Sequence, residues 1–411
     1  MNSRSRFSFS RLSPNGRAIA LTEPFWSIPY NMFSVFATLY MLALGLTERQ
    51  VGMIQTVLIL VQIVASLFSG GITELLGRRR TVLFFDLVSW ALACAVWAFA
   101  GGFAAFLVAA VLSGINRVVY VAFNCLLVEE ASPDQRIRNY SALHLMVLSG
   151  GFFTPLAGLL VRNSGLVQGT RLIYLGSALV MGGMFFVRHR MLREPVLPPA
   201  VQRRLNPLSE VSGLLRYLKE SREAAGAFLL QSLNQFIQVF KPLFYFAFLR
   251  DSLAVSALFF SLIPMAVSGI TMIVLFFFLP RITPEKRNRH IRLGLGLFAA
   301  SSLLLVLALR LGTLFLLLSV LTEGISFALL RPLIDSRWAD SLNPEKRAAQ
   351  MGAGNFLMGL ITVPAGILAA EFYARRPELP FAVLALLAAG ALAGSLLSRR
   401  KLESSSGENR G

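Results

Sequence analysis

The sequence predicts an all-α membrane protein with twelve transmembrane helices arranged as two pseudo-symmetric bundles of six. Three observations predict this fold class: the composition, the spacing of apolar segments, and a central linker between two halves that share an internal repeat. Of the 411 residues, 55% are hydrophobic and 15% are charged, whereas soluble domains carry about 25% charged residues. The composition therefore indicates a chain that crosses a membrane many times.

Twelve apolar segments are long enough to span a bilayer, which requires about 20 mostly apolar residues. We number them helices 1 to 12, and they occupy residues 20–43, 51–72, 79–100, 103–127, 140–161, 170–188, 225–248, 255–279, 291–310, 313–335, 351–372 and 379–397. The first follows a basic N-terminal stretch that is similar to a secretory signal. Glu23, Pro24 and Pro29 interrupt it, and it is too long for a cleavable signal, so we predict a spanning helix.

Basic residues concentrate in alternate connections, namely those between helices 2 and 3, 6 and 7, 8 and 9, and 10 and 11. The connection after helix 6, for example, holds Arg188, Arg190 and Arg193. Because positively charged connections stay in the cytoplasm, both termini are predicted to be cytoplasmic and the protein to lie in the cell membrane. This topology also accounts for the net charge of +18. No nucleic-acid motif is present, so no nucleic-acid partner is expected.

A proline-rich linker divides the chain into two halves. We predict an N-terminal bundle at 1–190, a cytoplasmic linker at 191–223, a C-terminal bundle at 224–400 and a disordered tail at 401–411. Apolar residues at helical spacing over 208–219 indicate an interfacial amphipathic helix within the linker. Residues 131–136, after helix 4, resemble residues 342–347, after helix 10. Repeated halves of this kind are typical of transporters.

A glycine and arginine motif separates helices 2 and 3. It consists of Gly70, Glu74, Gly77, Arg78, Arg79 and Arg80. Glycine at both ends is predicted to let the two helices close on a tight turn, and the arginines hold that turn on the cytoplasmic side.

The spacing of this motif resembles the signature of the major facilitator superfamily, with Glu74 in place of the usual aspartate and Leu75 in place of a basic residue. The resemblance implies two six-helix bundles around a central cavity, which exchange access from one side of the membrane to the other. It also implies a cytoplasmic gate, in which Glu74 faces a helix N-terminus of the other half and Arg78 pairs with acidic residues. Glu129 and Glu130, at the end of helix 4, are the candidate partners.

Polar side chains recur along one face of helices 1, 4, 7 and 10, most regularly in helix 7, where they are three and four residues apart. The candidate cavity residues are Trp26, Tyr30, Asn31, Asn116, Arg117, Tyr120, Asn124, Gln231, Asn234, Gln235, Gln238, Lys241, Glu323 and Arg331. In the superfamily these four helices line the cavity, so the resemblance implies that the polar faces contact substrate. The alternative is that amides and hydroxyls hold neighbouring helices together.

Charged side chains near the bilayer centre are unfavourable by about 2.5–3.5 kcal/mol each. The deepest are Arg117, Lys241 and Glu323. Glu323 can neutralise only one of the two cations, and Arg331 adds a further positive charge. We therefore predict an anionic substrate, and leave open whether Glu323 forms a static salt bridge or contacts the substrate.

Coupling to protons requires a carboxylate that gains and loses a proton as its surroundings change. Glu323 is the first candidate, followed by Asp86 and Glu23. Both of the latter lie near the cytoplasmic ends of their helices. The alternative for these two is that water solvates them.

The sequence thus predicts a monomeric, proton-coupled secondary transporter that works by alternating access on a small organic substrate, anionic or amphipathic. Its predicted partners are that substrate, membrane lipid and protons. No phosphate-binding loop is present, and the three histidines and two cysteines form no metal or nucleophile constellation. We therefore expect no metal, no cofactor and no enzymatic activity. A lipid flippase, a scramblase or a sensor on the same fold is the alternative.

Overall fold

The computed structural model describes residues 12–129, 131–194, 207–278, 282, 286–343 and 347–408. These residues are helical nearly throughout, and no strand occurs among them. The chain divides into two units, Met1–Leu205 and Asn206–Gly411. The division falls inside the predicted linker, part of which (195–206) lies outside the described residues.

The first unit holds helices 1 to 6, four of which are continuous through an irregular turn. Their bounds are Pro14–Thr22 and Pro24–Ala43 for helix 1, Glu48–Leu76 for helix 2, Arg78–Asp86, the π-helical Leu87–Leu92 and Ala93–Phe99 for helix 3, Phe103–Gly114 and Asn116–Val128 for helix 4, Pro133–Ser149, the 3₁₀ segment Gly150–Phe153 and Thr154–Ser164 for helix 5, and Leu166–Met191 for helix 6. Helices 1, 3 and 4 meet in a shared apolar core that includes Ile19, Val82 and Leu126.

The second unit holds the linker helix and helices 7 to 12. Their bounds are Pro207–Glu220 for the linker helix, Arg222–Asp251 for helix 7, Ala257–Ile273 and the π-helical Val274–Phe278 for helix 8, Arg287–Leu311 for helix 9, Thr313–Asp340 for helix 10, Arg347–Thr362 and Ala365–Arg375 for helix 11, and Leu379–Glu408 for helix 12. Helices 9 and 10 bond to each other through Ser301 and Ser319, whose hydroxyls each donate to the other residue's carbonyl.

Of helices 1 to 12, ten are long and apolar enough, among the described residues, to cross a membrane. The two that fall short are helices 1 and 7, which carry the longest series of polar side chains. The predicted all-α membrane fold is confirmed, and the predicted total of twelve spans is consistent with it. The same polar side chains that mark these two helices as candidate cavity helices also reduce their apolar character.

Several helices begin earlier or end later than predicted. Helix 5 begins at Pro133 rather than residue 140, because Ser132 and Gln135 form a capping box: the Gln135 N–H donates to Ser132 Oγ at 3.3 Å, and the Ser132 N–H donates to Gln135 Oε1 at 3.1 Å. Helix 12 continues to Glu408, into the predicted disordered tail at 401–411. After Pro380 no proline interrupts it.

The turn between helices 2 and 3 is shorter than predicted. Gly70 lies inside helix 2, and the turn is the single residue Gly77, whose φ is +81° and ψ is 159°. Only glycine adopts these angles without strain. The prediction that glycines at both ends close the turn is therefore wrong for Gly70 and holds for Gly77.

The linker helix packs on protein. Leu214 is 1% exposed and joins an apolar cluster with Trp338, at the end of helix 10, and Met358 of helix 11. The Tyr217 hydroxyl donates to the Ser341 carbonyl at 3.0 Å. The amphipathic pattern, predicted to mark a membrane-surface helix, is thus explained by packing on helices 10 and 11 of the same unit.

Candidate functional site

Arg188 of helix 6 lies at the centre of a buried charge cluster in the first unit. Its Nη2 is 2.7 Å from Glu23 Oε2, its Nη1 is 3.9 Å from Asp86 Oδ2, and its Nε donates to Thr22 Oγ1 at 2.8 Å. The three charged side chains are 4–7% exposed. Solvation of Glu23 and Asp86, the alternative raised from the sequence, is therefore wrong.

Three aromatic rings lie near these carboxylates along the chain: Trp26 and Trp90 are one helical turn from Glu23 and Asp86, and Tyr30 is two turns from Glu23. Trp26 and Tyr30 of helix 1 stack with centroids 5.0 Å apart, and Trp90 of helix 3 meets them edge-on at 5.1 and 5.7 Å. We call Trp26, Tyr30 and Trp90 the aromatic platform. Tyr30 is 38% exposed. Asn31, beside it, donates from Nδ2 to the Ser27 carbonyl of its own helix at 2.7 Å.

Arg117 lies in the middle of helix 4 with an exposed side chain. Its Cζ is 5.8 Å from the ring centroid of Tyr120, a residue that is itself 56% exposed. No carboxylate of the described residues pairs with it. The positive charge is thus available to a bound anion.

The two asparagines of helix 4 bond to neighbouring helices. Asn116 Oδ1 accepts from Gln62 of helix 2 at 3.4 Å, and Asn124 Oδ1 accepts from the Tyr140 hydroxyl of helix 5 at 2.9 Å. Asn124 Nδ2 also donates to the Tyr120 carbonyl at 2.6 Å. These contacts agree with the alternative, raised from the sequence, that amides hold helices together.

Lys241 and Glu323 form a buried ion pair between helices 7 and 10. Lys241 Nζ is 2.8 Å from Glu323 Oε1, and both side chains are less than a tenth exposed, at 3% and 9%. The ammonium also lies 5.3 Å from the Tyr245 ring and 5.2 Å from the Phe298 ring. Glu323 Oε2 and the Tyr245 hydroxyl have no hydrogen-bond partner among the described residues. Lys241 is thereby neutralised within its own unit.

The remaining candidate cavity residues of helix 7 are buried or half-buried. Gln231 Nε2 donates to Asp335 Oδ1 of helix 10 at 2.7 Å, and Gln235 Nε2 lies 3.6 Å from the sulfur of Met358. Asn234 is buried and Gln238 is half-buried. In helix 10, by contrast, Arg331 is exposed and has no carboxylate partner among the described residues.

Two of the three arginines after Gly77 are held by acidic and carbonyl groups of the same unit. Arg78 Nε and Nη2 both donate to the Glu129 carboxylate at 3.2 Å, and Arg79 Nη2 donates to the His189 carbonyl at 2.7 Å. Glu74 and Arg80 are exposed, and Glu130 lies outside the described residues. Arg78 thus contacts one of its two candidate partners.

Glu194 caps the first turn of helix 3. Its carboxylate oxygens accept from the Arg78 N–H at 2.6 Å and the Arg79 N–H at 2.9 Å. A negative charge at a helix N-terminus satisfies free N–H groups and opposes the positive end of the helix dipole. This carboxylate follows helix 6, so it ties the beginning of the linker to the turn.

A Gly77→Ala substitution is expected to lower the free energy of unfolding by about 1–3 kcal/mol. The backbone angles at this position are restricted to glycine, and an added Cβ would come within 3.1 Å of Glu194 Oε1. Thermal unfolding in detergent measures the effect. Gly176→Ala in helix 6 is the control, since its Cβ meets nothing within 4 Å. Equal melting temperatures for the two variants would contradict the strain at Gly77.

The second unit contains a counterpart of the Arg78–Glu129 pair. Arg287, at the start of helix 9, forms an ion pair with Asp340, at the end of helix 10. Helices 9 and 10 occupy the places in the second half that helices 3 and 4 occupy in the first. The match supports the repeat that the sequence indicated at 131–136 and 342–347.

A family model described as Major Facilitator Superfamily matches residues 26–366. The chain belongs to the major facilitator superfamily. Membership in this superfamily of transporters makes the chain a multi-pass membrane transporter and not an enzyme. No curated protein matches it significantly in sequence.

Solved structures of other transporters share the superfamily fold. They include the nucleoside transporter NupG, with a TM-score of 0.69, 14% identity, and coverage of 93% of this chain and 98% of that one. The peptide transporter POT in complex with sulfate gives a TM-score of 0.70 and 16% identity, with coverage of 94% of both chains. The human organic anion transporter MFSD10 (TETRAN) gives a TM-score of 0.63 and 17% identity, with coverage of 94% of this chain and 99% of that one.

Three residues of the site were not predicted from the sequence: Arg188, Trp90 and Glu194. In the sequence Arg188 begins the run of basic residues that predicts the connection after helix 6, yet it is buried inside that helix. The signal that could have found it is the need of Glu23 and Asp86 for a cation. Trp90 depends on the π-helical turn, and Glu194 on a contact 116 residues distant in sequence. Neither the position of Trp90 nor the contact of Glu194 produces a pattern in the neighbouring sequence.

Proposed function

We propose that the protein is a secondary transporter that carries a small organic anion by alternating access and couples this movement to protons. The observation that carries the proposal is which of its cationic side chains have a carboxylate partner. Arg117 and Arg331 have no carboxylate partner among the described residues, whereas the buried cations Arg188 and Lys241 do.

The depth of Arg117 and Arg331 strengthens this argument. Each lies more than two helical turns from either end of its helix, at about 3.6 residues per turn. An arginine at that depth that faced lipid would cost about 2.5–3.5 kcal/mol on insertion scales. Water and an anionic ligand are the surroundings that reduce this cost.

We further propose that the polar faces of helices 1 and 4 in the first unit, and of helices 7 and 10 in the second, contact substrate. The aromatic platform would bind an apolar or planar part of the substrate, since aromatic rings bury large apolar area. The arginines would bind its carboxylate or phosphate through charge-assisted hydrogen bonds. The substrate is then amphipathic as well as anionic.

The substrates named for the similar structures do not select one chemical class, because nucleosides, peptides and organic anions all occur among them. At identities of 14–17% they support the fold alone. The choice of an anion therefore depends on the residues of this chain.

Neutralising either arginine is expected to reduce anion transport about 10- to 100-fold, the loss expected for a charged hydrogen bond of about 1.5–3 kcal/mol. The test is uptake by proteoliposomes across a panel of organic anions, neutral sugars and hydrophobic cations, with Arg117→Gln and Arg331→Gln as variants. Arg376→Gln, an exposed position in the loop before helix 12, makes the same charge change and should leave uptake at the wild-type rate.

Preferential uptake of cations, or anion uptake that is equal in all three variants, would contradict the proposal. Flipping of fluorescent lipids without flux of any soluble substrate would instead support the lipid flippase or scramblase alternative.

A further inference from the structure

The buried cluster in the first unit holds more acid than base. Glu23 and Asp86 supply two carboxylates, and Arg188 supplies the single guanidinium between them. The contacts are unequal, because Glu23 receives a hydrogen bond of 2.7 Å from Arg188 whereas Asp86 lies 3.9 Å from it. Asp86 Oδ2 has no hydrogen-bond partner among the described residues.

The surroundings of the cluster offer little to stabilise its second negative charge. Helix 4 presents the Phe123 ring, 5.4 Å from Arg188 Cζ, and helix 6 presents the Phe185 ring at 5.9 Å. Helix 1 adds the Thr22 hydroxyl, and helix 5 packs on helix 1 through the uncharged Asn139, which bonds to Ser13. His189, next to Arg188, forms no ion pair with either carboxylate among the described residues.

Each carboxylate stands where its helix is irregular. Glu23 separates the two helical segments of helix 1 and is followed by Pro24. Asp86 is the last α-helical residue before the π-helical turn Leu87–Leu92 of helix 3. Helices bend at proline and at π-helical turns, and π-helical turns are frequent at functional sites. A change of charge at Glu23 or Asp86 therefore acts at a position where helix 1 or helix 3 can bend.

We propose that Asp86, paired with Glu23 through Arg188, binds the proton that drives transport. The proposal rests on the proposed function, since it assigns the coupling site of that transporter. A hydronium ion gives its proton to Asp86 Oδ2 and leaves as water. The carboxylate becomes a neutral acid, and the Glu23–Arg188 pair remains with no net charge. Because burying an unpaired charge is unfavourable, the protonated cluster is the form that tolerates a dry environment.

The aromatic platform connects this site to the substrate. Trp26 follows Glu23 by one turn of helix 1, and Trp90 follows Asp86 by one turn of helix 3. The two indoles contact each other edge-on at 5.1 Å. A shift of either helix at the carboxylates therefore moves the rings relative to each other, so that proton binding changes the surface offered to the substrate.

Infrared difference spectroscopy of the full chain in phosphatidylcholine membranes tests the proton site without any substrate. Acidifying the wild-type protein from about pH 9 to about pH 5, a range above the titration of free carboxylates, should produce the C=O band of a buried carboxylic acid. In Asp86→Asn the intensity of this band should fall by the contribution of one carboxyl group. The variant should fold, because one acid and one base remain. Asp251→Asn, an exposed carboxylate paired with Arg250, is the control and should keep the band.

Tryptophan fluorescence over the same pH range tests the connection to the aromatic platform. We expect a pH-dependent change in the wild-type protein that is absent in Asp86→Asn and in Trp90→Phe. A band that persists unchanged in both Asp86→Asn and Glu23→Gln would overturn the proposal, as would fluorescence that is independent of pH. A normal infrared titration together with absent anion flux would instead contradict the proposed function alone.

Discussion

Replacing Arg188 with methionine is expected to lower the free energy of unfolding by about 3–5 kcal/mol, the range measured when one partner of a buried ion pair is removed. The substitution leaves Glu23 and Asp86 as two buried carboxylates without a cation, and it also removes the donor to Thr22. Methionine keeps most of the apolar volume of the side chain, so the loss of charge dominates. The apparent melting temperature in detergent measures the effect.

Two further variants separate the charge from the packing. Arg188→Met combined with Glu23→Gln and Asp86→Asn should recover most of the lost stability, because no buried charge remains. Arg190→Met, two residues on and exposed, should melt like the wild-type protein. Failure of the combined variant to recover would show that Arg188 acts mainly through its packing against Phe123 and Phe185.

Replacing Lys241 with methionine is expected to have an effect of similar size, about 3–5 kcal/mol. Glu323 would keep its charge in a site where both side chains are less than a tenth exposed, at 3% and 9%. The ammonium would also no longer contact the Tyr245 and Phe298 rings. Thermal unfolding of Lys241→Met against Lys219→Met, an exposed lysine of the linker helix, measures the difference.

The double variant Lys241→Met with Glu323→Leu addresses the question that the sequence left open. Replacing a buried pair by apolar residues is often neutral or stabilising, so this variant should regain the melting temperature. If it also transports at the wild-type rate, the pair is a static salt bridge. If it is stable and inactive, the pair contacts the substrate or gates the pathway. Instability equal to that of Lys241→Met would contradict the charge argument itself.

The fold was predictable because long apolar segments leave few alternatives in a bilayer, where every backbone polar group must bond within its own helix. Helix ends were less predictable. The capping box at Ser132 and Gln135 extends helix 5 into a polar stretch, and hydropathy does not register it. The linker helix shows a different limit of prediction from sequence, because an apolar face on a helix does not indicate whether it packs on lipid or on protein.

The candidate site was predictable where its residues form a series and unpredictable where it depends on tertiary contacts. The polar series of helix 7 and the Lys241–Glu323 pair lie on helices chosen from the sequence. Arg188 was misplaced because a basic residue at the end of an apolar segment looks like a topology signal. Its burial depends on Glu23 and Asp86, which lie 165 and 102 residues before it in the sequence.

Cysteine accessibility in membranes tests most directly the central claim that the polar faces of helices 1, 4, 7 and 10 contact water. In a background without Cys94 and Cys125, single cysteines are placed at Tyr30, Tyr120, Gln238 and Arg331. Leu179 and Leu386, which are 78% and 72% exposed on apolar helices 6 and 12, serve as lipid-facing controls. We expect a charged, membrane-impermeant thiol reagent to label the first four positions and to leave both controls unlabelled. Labelling of the leucine positions as fast as the polar positions, or no labelling of the polar positions from either side, would contradict the account.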